Sequence, residues 1–212
     1  MSVRHERRVL TSLLGHHAAA GQFAAALAVA ARLVETVGDD DADDAGNGDG
    51  EAAWTLSQAG LACLQLGAMA SGRALLARAD ARAGEDAAGD YLRALHAGLT
   101  LCCERRLADA AAAFARAGEA ARRNGAAAAA DTAVADNNAA VCQLYANKLP
   151  EAVRSLEGCL QQGLQYLRSD LVCNLASCYE LESADPGAAK KRLGEWIDSA
   201  APDDFQRAAL RM

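Results

Sequence analysis

A chain of 212 residues is long enough for one domain or a short repeat array, and 21 Lys and Arg against 28 Asp and Glu leave a formal net charge of -7. That balance excludes a phosphate backbone as the expected partner, so no nucleic acid is anticipated. The hydrophobic fraction is 52% but is largely alanine, with 4% aromatics and three prolines, which favours helix almost throughout and a core of closely approaching backbones.

The chain opens on MSVRHERRVL, whose charges have no long apolar core behind them, so no secretory signal is expected. Residues 18–37 are apolar but broken by Gly21, Gln22 and Arg32, short of the ~18 to 20 residues that span a bilayer. His16 and His17 are adjacent on this predicted helix, so their rings point about 100° apart and cannot share a metal. Residues 1–37 read as a first helical repeat unit.

Residues 38–51, GDDDADDAGNGDGE, are acidic, glycine-rich and without apolar period. They read as a flexible loop. A calcium loop starting at Asp41 would place Asp43 and Gly46 correctly, but Ala45 and Ala52 fall where ligands are needed.

Residues 52–212 read as the remaining repeat units of the same solenoid domain. Second helices follow short turns and carry a small residue early. Examples are Phe23, Ala26, Ala30 and Leu33, then Met69, Gly72, Leu76 and Ala79, then Leu107, Ala110, Phe114 and Ala117, then Leu149, Ala152 and Leu156. First helices carry small residues in tandem: Ala59-Gly60, Ala97-Gly98 and Ala139-Ala140, with Leu13-Leu14 looser and Leu175-Ala176 in a fifth unit. Gly60, Gly98, Ala140, Ala152 and Ala176 are therefore the expected contacts within repeats. Units begin near residues 7, 53, 91, 133 and 169. The low-complexity stretch GAAAAAD, 125–131, lengthens either a helix or a loop.

This register resembles the tetratricopeptide repeat family, whose unit of 34 residues is a pair of antiparallel helices. The spacings here are longer, and the family's aromatic and terminal proline are mostly missing. The resemblance implies an all-α, tetratricopeptide-repeat-like α-solenoid of about five antiparallel helix pairs. Each pair would stack on the next because it cannot bury its apolar face alone.

The segment ADNNAAVC, 135–142, raises a chemical question, since an Asp, two Asn and a Cys fall within eight residues. The expectation is structural. Asp136 sits in a first helical turn, where a carboxylate suits the dipole. Ala139 and Ala140 pack, and Cys142 is one more small apolar residue.

The last third carries a closer likeness. Asn137-Asn138-Ala139-Ala140-Val141-Cys142, Leu144-Tyr145, Lys148-Leu149, Leu156-Glu157, Asn174-Leu175 and Tyr179-Glu180-Leu181-Glu182-Ser183 resemble the C-terminal repeat region of the subunit 12 family of the TRAPP vesicle-tethering complex. That likeness covers roughly 136–210, and the family extends much further on its N-terminal side. It implies a non-catalytic scaffold in ER-Golgi traffic and autophagy. Other TRAPP-complex subunits would be its partners, and its place would be cytoplasmic, peripheral to ER-Golgi membranes.

Motifs that carry chemistry are not found in the sequence. No phosphate-binding glycine loop is present. His5 and His96 are isolated, Cys102-Cys103 are adjacent, and Cys173 and Cys178 are five apart, unlike a zinc knuckle. Seven cysteines without framework spacing read as reduced packing thiols. No catalytic residue, metal, cofactor or small-molecule substrate is expected. The inward positions of the first helices are mostly apolar and lack lysine, which disfavours a clamp for C-terminal carboxylates. Trp54, Leu61, Leu95, Leu99, Val141 and Tyr145 are the candidate concave groove for a helix or another subunit. The alternative function is a peptide-binding repeat adaptor, a cochaperone or targeting receptor unrelated to tethering.

Overall fold

The computed structural model describes residues 3–37, 48–182, 185–201, 205 and 207–210. Among these residues there are ten α-helices and no strand. They are α1 Val3–Ala19, α2 Phe23–Glu35, α3 Gly48–Gln65, α4 Met69–Arg82, α5 Ala87–Cys103, α6 Leu107–Arg123, α7 Ala129–Tyr145, α8 Leu149–Gln161, α9 Ser169–Glu182 and α10 Pro186–Ala200. The fold is all-α, of tetratricopeptide-like helix pairs, as the register predicts.

The repeat is written most plainly in its turns. Gly21, Gly67, Arg105 and Asn147 all take left-handed backbone, with φ of 68°, 82°, 60° and 60°. Each ends a first helix in the same way. The N–H of the left-handed residue bonds the carbonyl three back, and the next N–H bonds the carbonyl five back. Gly67 to Leu64 with Ala68 to Cys63, and Asn147 to Leu144 with Lys148 to Gln143, are two of the four cases. This is the Schellman closure, which satisfies carbonyls the helix end would orphan. The four residues stand 46, 38 and 42 apart, the spacings of the repeat starts. Left-handed backbone suits Gly and is tolerated by Asn, but it opposes a Cβ, so Arg105 holds the most strained turn.

Each second helix then starts from a bare backbone cap. Gln22, Ala68, Arg106 and Lys148 share φ of -80° to -110° and ψ of 55° to 66°, and none caps through its side chain. Five residues beyond each left-handed position lie Ala26, Gly72, Ala110 and Ala152. Seven before it lie Leu14, Gly60, Gly98 and Ala140. All eight are buried. These positions are where the two helices of a pair touch. A Cβ on Gly60 would lie 3.2 Å from the Gly72 carbonyl oxygen, and one on Gly72 would lie 3.1 Å from that of Gly60. In the third pair it is Gly98 that is buried, while its neighbour Ala97 is half-exposed. Ala176 on α9 is fully buried.

The chain divides into two compact units, Met1–His96 and Ala97–Met212, where the sequence keeps 52–212 as one run. In the first unit, Leu14, Ala26, Ala30 and Leu33 pack with Ala59 and Ala62, and Leu56 packs with Val37, Ala52 and Ala79. Arg7 is buried and donates to the Thr36 hydroxyl and carbonyl, tying α1 to the end of α2. In the second unit, Leu156, Leu171, Val172, Leu175 and Ile197 form the centre of one cluster across α8, α9 and α10, each worth roughly 1.5 to 3 kcal/mol of burial.

One boundary differs from the reading of 38–51 as loop. Helix α3 begins at Gly48, and Glu51 pairs with Arg4 of α1 at 3.1 Å. Residues 38–47 lie outside the described residues. Among the described residues no helix is long and apolar enough to cross a membrane.

Candidate functional site

The polar cluster in ADNNAAVC resolves into ties between helices. Asp136 is not in a first turn, because α7 starts seven residues earlier at Ala129. Alanines 129 and 130 carry the helix backward, as their propensity favours. The Asp136 carboxylate instead lies over α6, where it accepts a hydrogen bond from Arg122. Gly118 makes the room, since a Cβ there would come within 2.7 Å of Asp136 Oδ1. Asn137 is buried, and its Oδ1 accepts from Asn174 Nδ2 at 2.9 Å, joining α7 to α9.

A second polar line falls in the first unit and involves a histidine that sequence reading left isolated. His96 Nε2 lies 2.7 Å from the Ser57 hydroxyl, and His96 Nδ1 lies 2.6 Å from Asp80 Oδ1. With the ring proton on Nδ1, that nitrogen donates to Asp80 and Nε2 accepts from Ser57. Serine, histidine and aspartate in this order are the components of a hydrolase triad. Their setting is different. Ser57 and His96 are each 1% exposed, so no carbonyl substrate reaches the hydroxyl. The line joins α3, α4 and α5 and satisfies buried polar atoms, which would otherwise cost ~1 to 3 kcal/mol each. Among the described residues no buried side-chain nitrogen or oxygen lacks a partner.

The cysteines are free thiols, and two of them meet. Cys102 Sγ and Cys142 Sγ are 3.3 Å apart, from the last turns of α5 and α7. The hydrogen bond from Cys142 lowers the Cys102 thiol to about 7, against the opposing effect of burial. The same bond, and then burial, raises Cys142, since one proton is shared and the second is held. Elsewhere burial pushes Cys159 up to about 12 and raises Cys63 and Cys178. Among the described residues no group of three or more His, Cys, Asp or Glu is placed to hold a metal.

The apolar candidates divide by exposure. Trp54 is 48% exposed, and Leu61 lies seven residues on, on the same face of α3. Leu61 borders a small cleft of about 130 Å³ with Thr11, Leu14 and Gln58, between α1 and α3. Leu99 and Val141 are half-buried, and Tyr145, one turn beyond Val141, is 71% exposed. Leu95 is a correction: it is 7% exposed and belongs to the interior. A larger cleft of about 620 Å³ escaped sequence reading. It lies between α8, α9 and α10, walled by Leu160, Leu164, Leu175, Leu193 and Trp196. At its side the Tyr179 hydroxyl donates to Glu157 at 2.6 Å. Burial, then that carboxylate, raises the phenol.

No protein-family profile matches the chain. Trafficking protein particle complex subunit 12 of Mus musculus is 42% identical over 81 residues, covering 38% of this chain and 10% of that protein. The Homo sapiens protein of the same name is 41% identical over 81 residues, covering 38% and 11%. The chain thus spans about a tenth of the length of these relatives. A solved structure described as MamA AMB-1 aligns over 95% of this chain and 94% of its own, with 21% identity and a TM-score of 0.47.

Proposed function

We infer that this chain is a non-catalytic scaffold of a TRAPP-like vesicle-tethering assembly, working in ER-Golgi traffic and autophagy at the cytoplasmic face of those membranes. Its partners are other subunits of that assembly. The observation that carries the reading is the 81-residue similarity at 42% identity to a trafficking complex subunit. The exposed apolar side chains support it. Tyr145 at 71% and Trp54 at 48% leave large aromatic surface in water on first helices, and burial against a partner returns about 25 cal/mol per Å². Leu61 extends the surface of the first unit, and Leu99 and Val141 that of the second; Leu95 drops out.

The test is co-purification with the tagged full chain, beside Trp54→Asp and Tyr145→Asp. Recovery of tethering subunits by the parent and their loss from either variant, with helical circular dichroism kept, is the expected result. Recovery of chaperones or targeting cargo instead would transfer the chain to the adaptor class. If both variants keep the same tethering subunits, binding moves off these first-helix faces and the cleft between α8 and α10 becomes the surface to vary.

A further inference from the structure

We propose that Cys102 and Cys142 form a thiol oxidation site that takes a hydroperoxide and closes to a disulfide between α5 and α7. The inference is independent of the tethering reading and rests on placement. The two sulfurs are 3.3 Å apart, and a disulfide bond of about 2.05 Å needs only roughly 1.3 Å more approach. Cys102 is partly buried and Cys142 is 3% exposed, so of the two it is Cys102 that a small oxidant reaches first.

The chemistry follows from that asymmetry. The Cys102 thiolate attacks the terminal oxygen of the hydroperoxide. The O–O bond breaks, the alcohol or water leaves with a proton, and Cys102 becomes a sulfenic acid. Cys142 then gives up its proton and attacks the Cys102 sulfur. The S–O bond breaks and water leaves. Two thiols and one hydroperoxide thus give one disulfide, one alcohol or water, and one water, with both sulfurs oxidised and the peroxide reduced. The hydrogen bond between the two thiols favours the first step, because it stabilises the thiolate that attacks. Proximity favours the second, because the resolving sulfur is already at contact and the sulfenic acid need not survive long enough for further oxidation. The other five thiols lack such a neighbour among the sulfur contacts described.

The closed disulfide would join the last turns of α5 and α7 and enclose all of α6 between them. It would be reversible by thiol reductants. It would restrain the part of the second unit where Phe114 and Ala117 pack.

The experiment uses the full reduced chain, titrated with hydrogen peroxide and digested under non-reducing conditions. Trypsin places Cys102 and Cys103 on one peptide, 94–105, and Cys142 alone on another, 124–148. The expected result is loss of two of the seven thiols and one cross-linked pair of these peptides, restored by dithiothreitol and unchanged in Cys103→Ser. In Cys142→Ser, Cys102 should stop at the sulfenic acid and be trapped by dimedone. Should that variant not fold, Cys102→Ser serves instead: it should abolish the cross-link and spare all remaining thiols at the same peroxide dose. The proposal is overturned if the cross-link joins other cysteines, if it survives in Cys102→Ser, or if peroxide leaves all seven thiols free while the chain stays folded.

Discussion

Gly98→Ala tests the claim that helix pairs meet through missing side chains. A Cβ at Gly98 would lie 2.6, 2.7 and 2.8 Å from Cε1, Cδ1 and Cζ of Phe114, about 1 Å inside carbon–carbon contact. Phe114 is 1% exposed, with Ala110, Ala113 and Ala117 buried beside it, so the ring has nowhere to retreat. The overlap should cost ~1 to 3 kcal/mol. Against it stands a helix-propensity gain of about 0.8 to 1.0 kcal/mol for replacing glycine by alanine. Gly158→Ala in α8 isolates the difference, because nothing lies within 4 Å of its Cβ and it belongs to the same unit. Both substitutions gain propensity and only one overlaps, so the gap between them should be ~1 to 3 kcal/mol. In a unit of this size that is a difference of about 4 °C per kcal/mol in melting temperature. The assay is urea unfolding followed by Trp196 fluorescence in a Trp54→Phe background, since the chain has two tryptophans and only Trp196 reports the second unit. If Gly98→Ala proves as stable as Gly158→Ala, the Phe114 ring is not seated on Gly98 and the account of this pair fails.

The buried line of Ser57, His96 and Asp80 should behave as structure. His96→Ala should destabilise by ~1 to 3 kcal/mol or more, through unpaired polar groups and the cavity left behind, while hydrolysis of p-nitrophenyl acetate should not change in Ser57→Ala. Loss of that hydrolysis would show the hydroxyl to be reachable after all. The thiols should separate by pH. With Cys102 lowered to about 7 and Cys159 raised to about 12, iodoacetamide should label Cys102 increasingly as pH rises through 7 and leave Cys159 protonated and unlabelled at pH 9. Labelling of the two at one rate in the folded chain would contradict the placement of both.

Much of the fold is legible because its signal is local. A small residue at Gly60, Gly98 or Ala140, and another twelve positions on at Gly72, Ala110 or Ala152, is a pattern that helix packing demands within one pair, whatever surrounds it. The errors are also local in origin. Asp136 followed by two asparagines looks like a helix start, because short polar side chains favour first turns. The alanines before it extend the helix to Ala129 on propensity alone, and alanine runs carry no boundary mark. Leu95 lies in the interior and not in the expected groove for another reason. An apolar residue on a first helix fits a groove or an interior equally well, and its 7% exposure depends on neighbours that the sequence does not align.

The site chemistry is hidden by one substitution in that alignment. Ser57 stands ten residues before Gly67, and His96 stands nine before Arg105. Cys102 stands three before Arg105, and Cys142 stands five before Asn147. Measured from the left-handed turns, each pair occupies neighbouring levels on successive first helices, where side chains can meet. Measured from a fixed repeat length they do not register, because successive turns lie 46, 38 and 42 residues apart. Three of the four turns announce themselves through Gly21, Gly67 and Asn147, the residue types that left-handed backbone selects. The fourth is Arg105, which no turn rule would choose. Arg105→Gly should therefore keep the same turn and relieve its strain, stabilising the chain by ~1 kcal/mol from the left-handed cost, less the larger backbone entropy of glycine. Urea unfolding and the Cys102–Cys142 cross-link read the two halves of that expectation separately. A variant that is less stable, or that no longer cross-links, would mean Arg105 holds the end of α5 by its side chain, and the turn would not be the anchor from which these sites can be aligned.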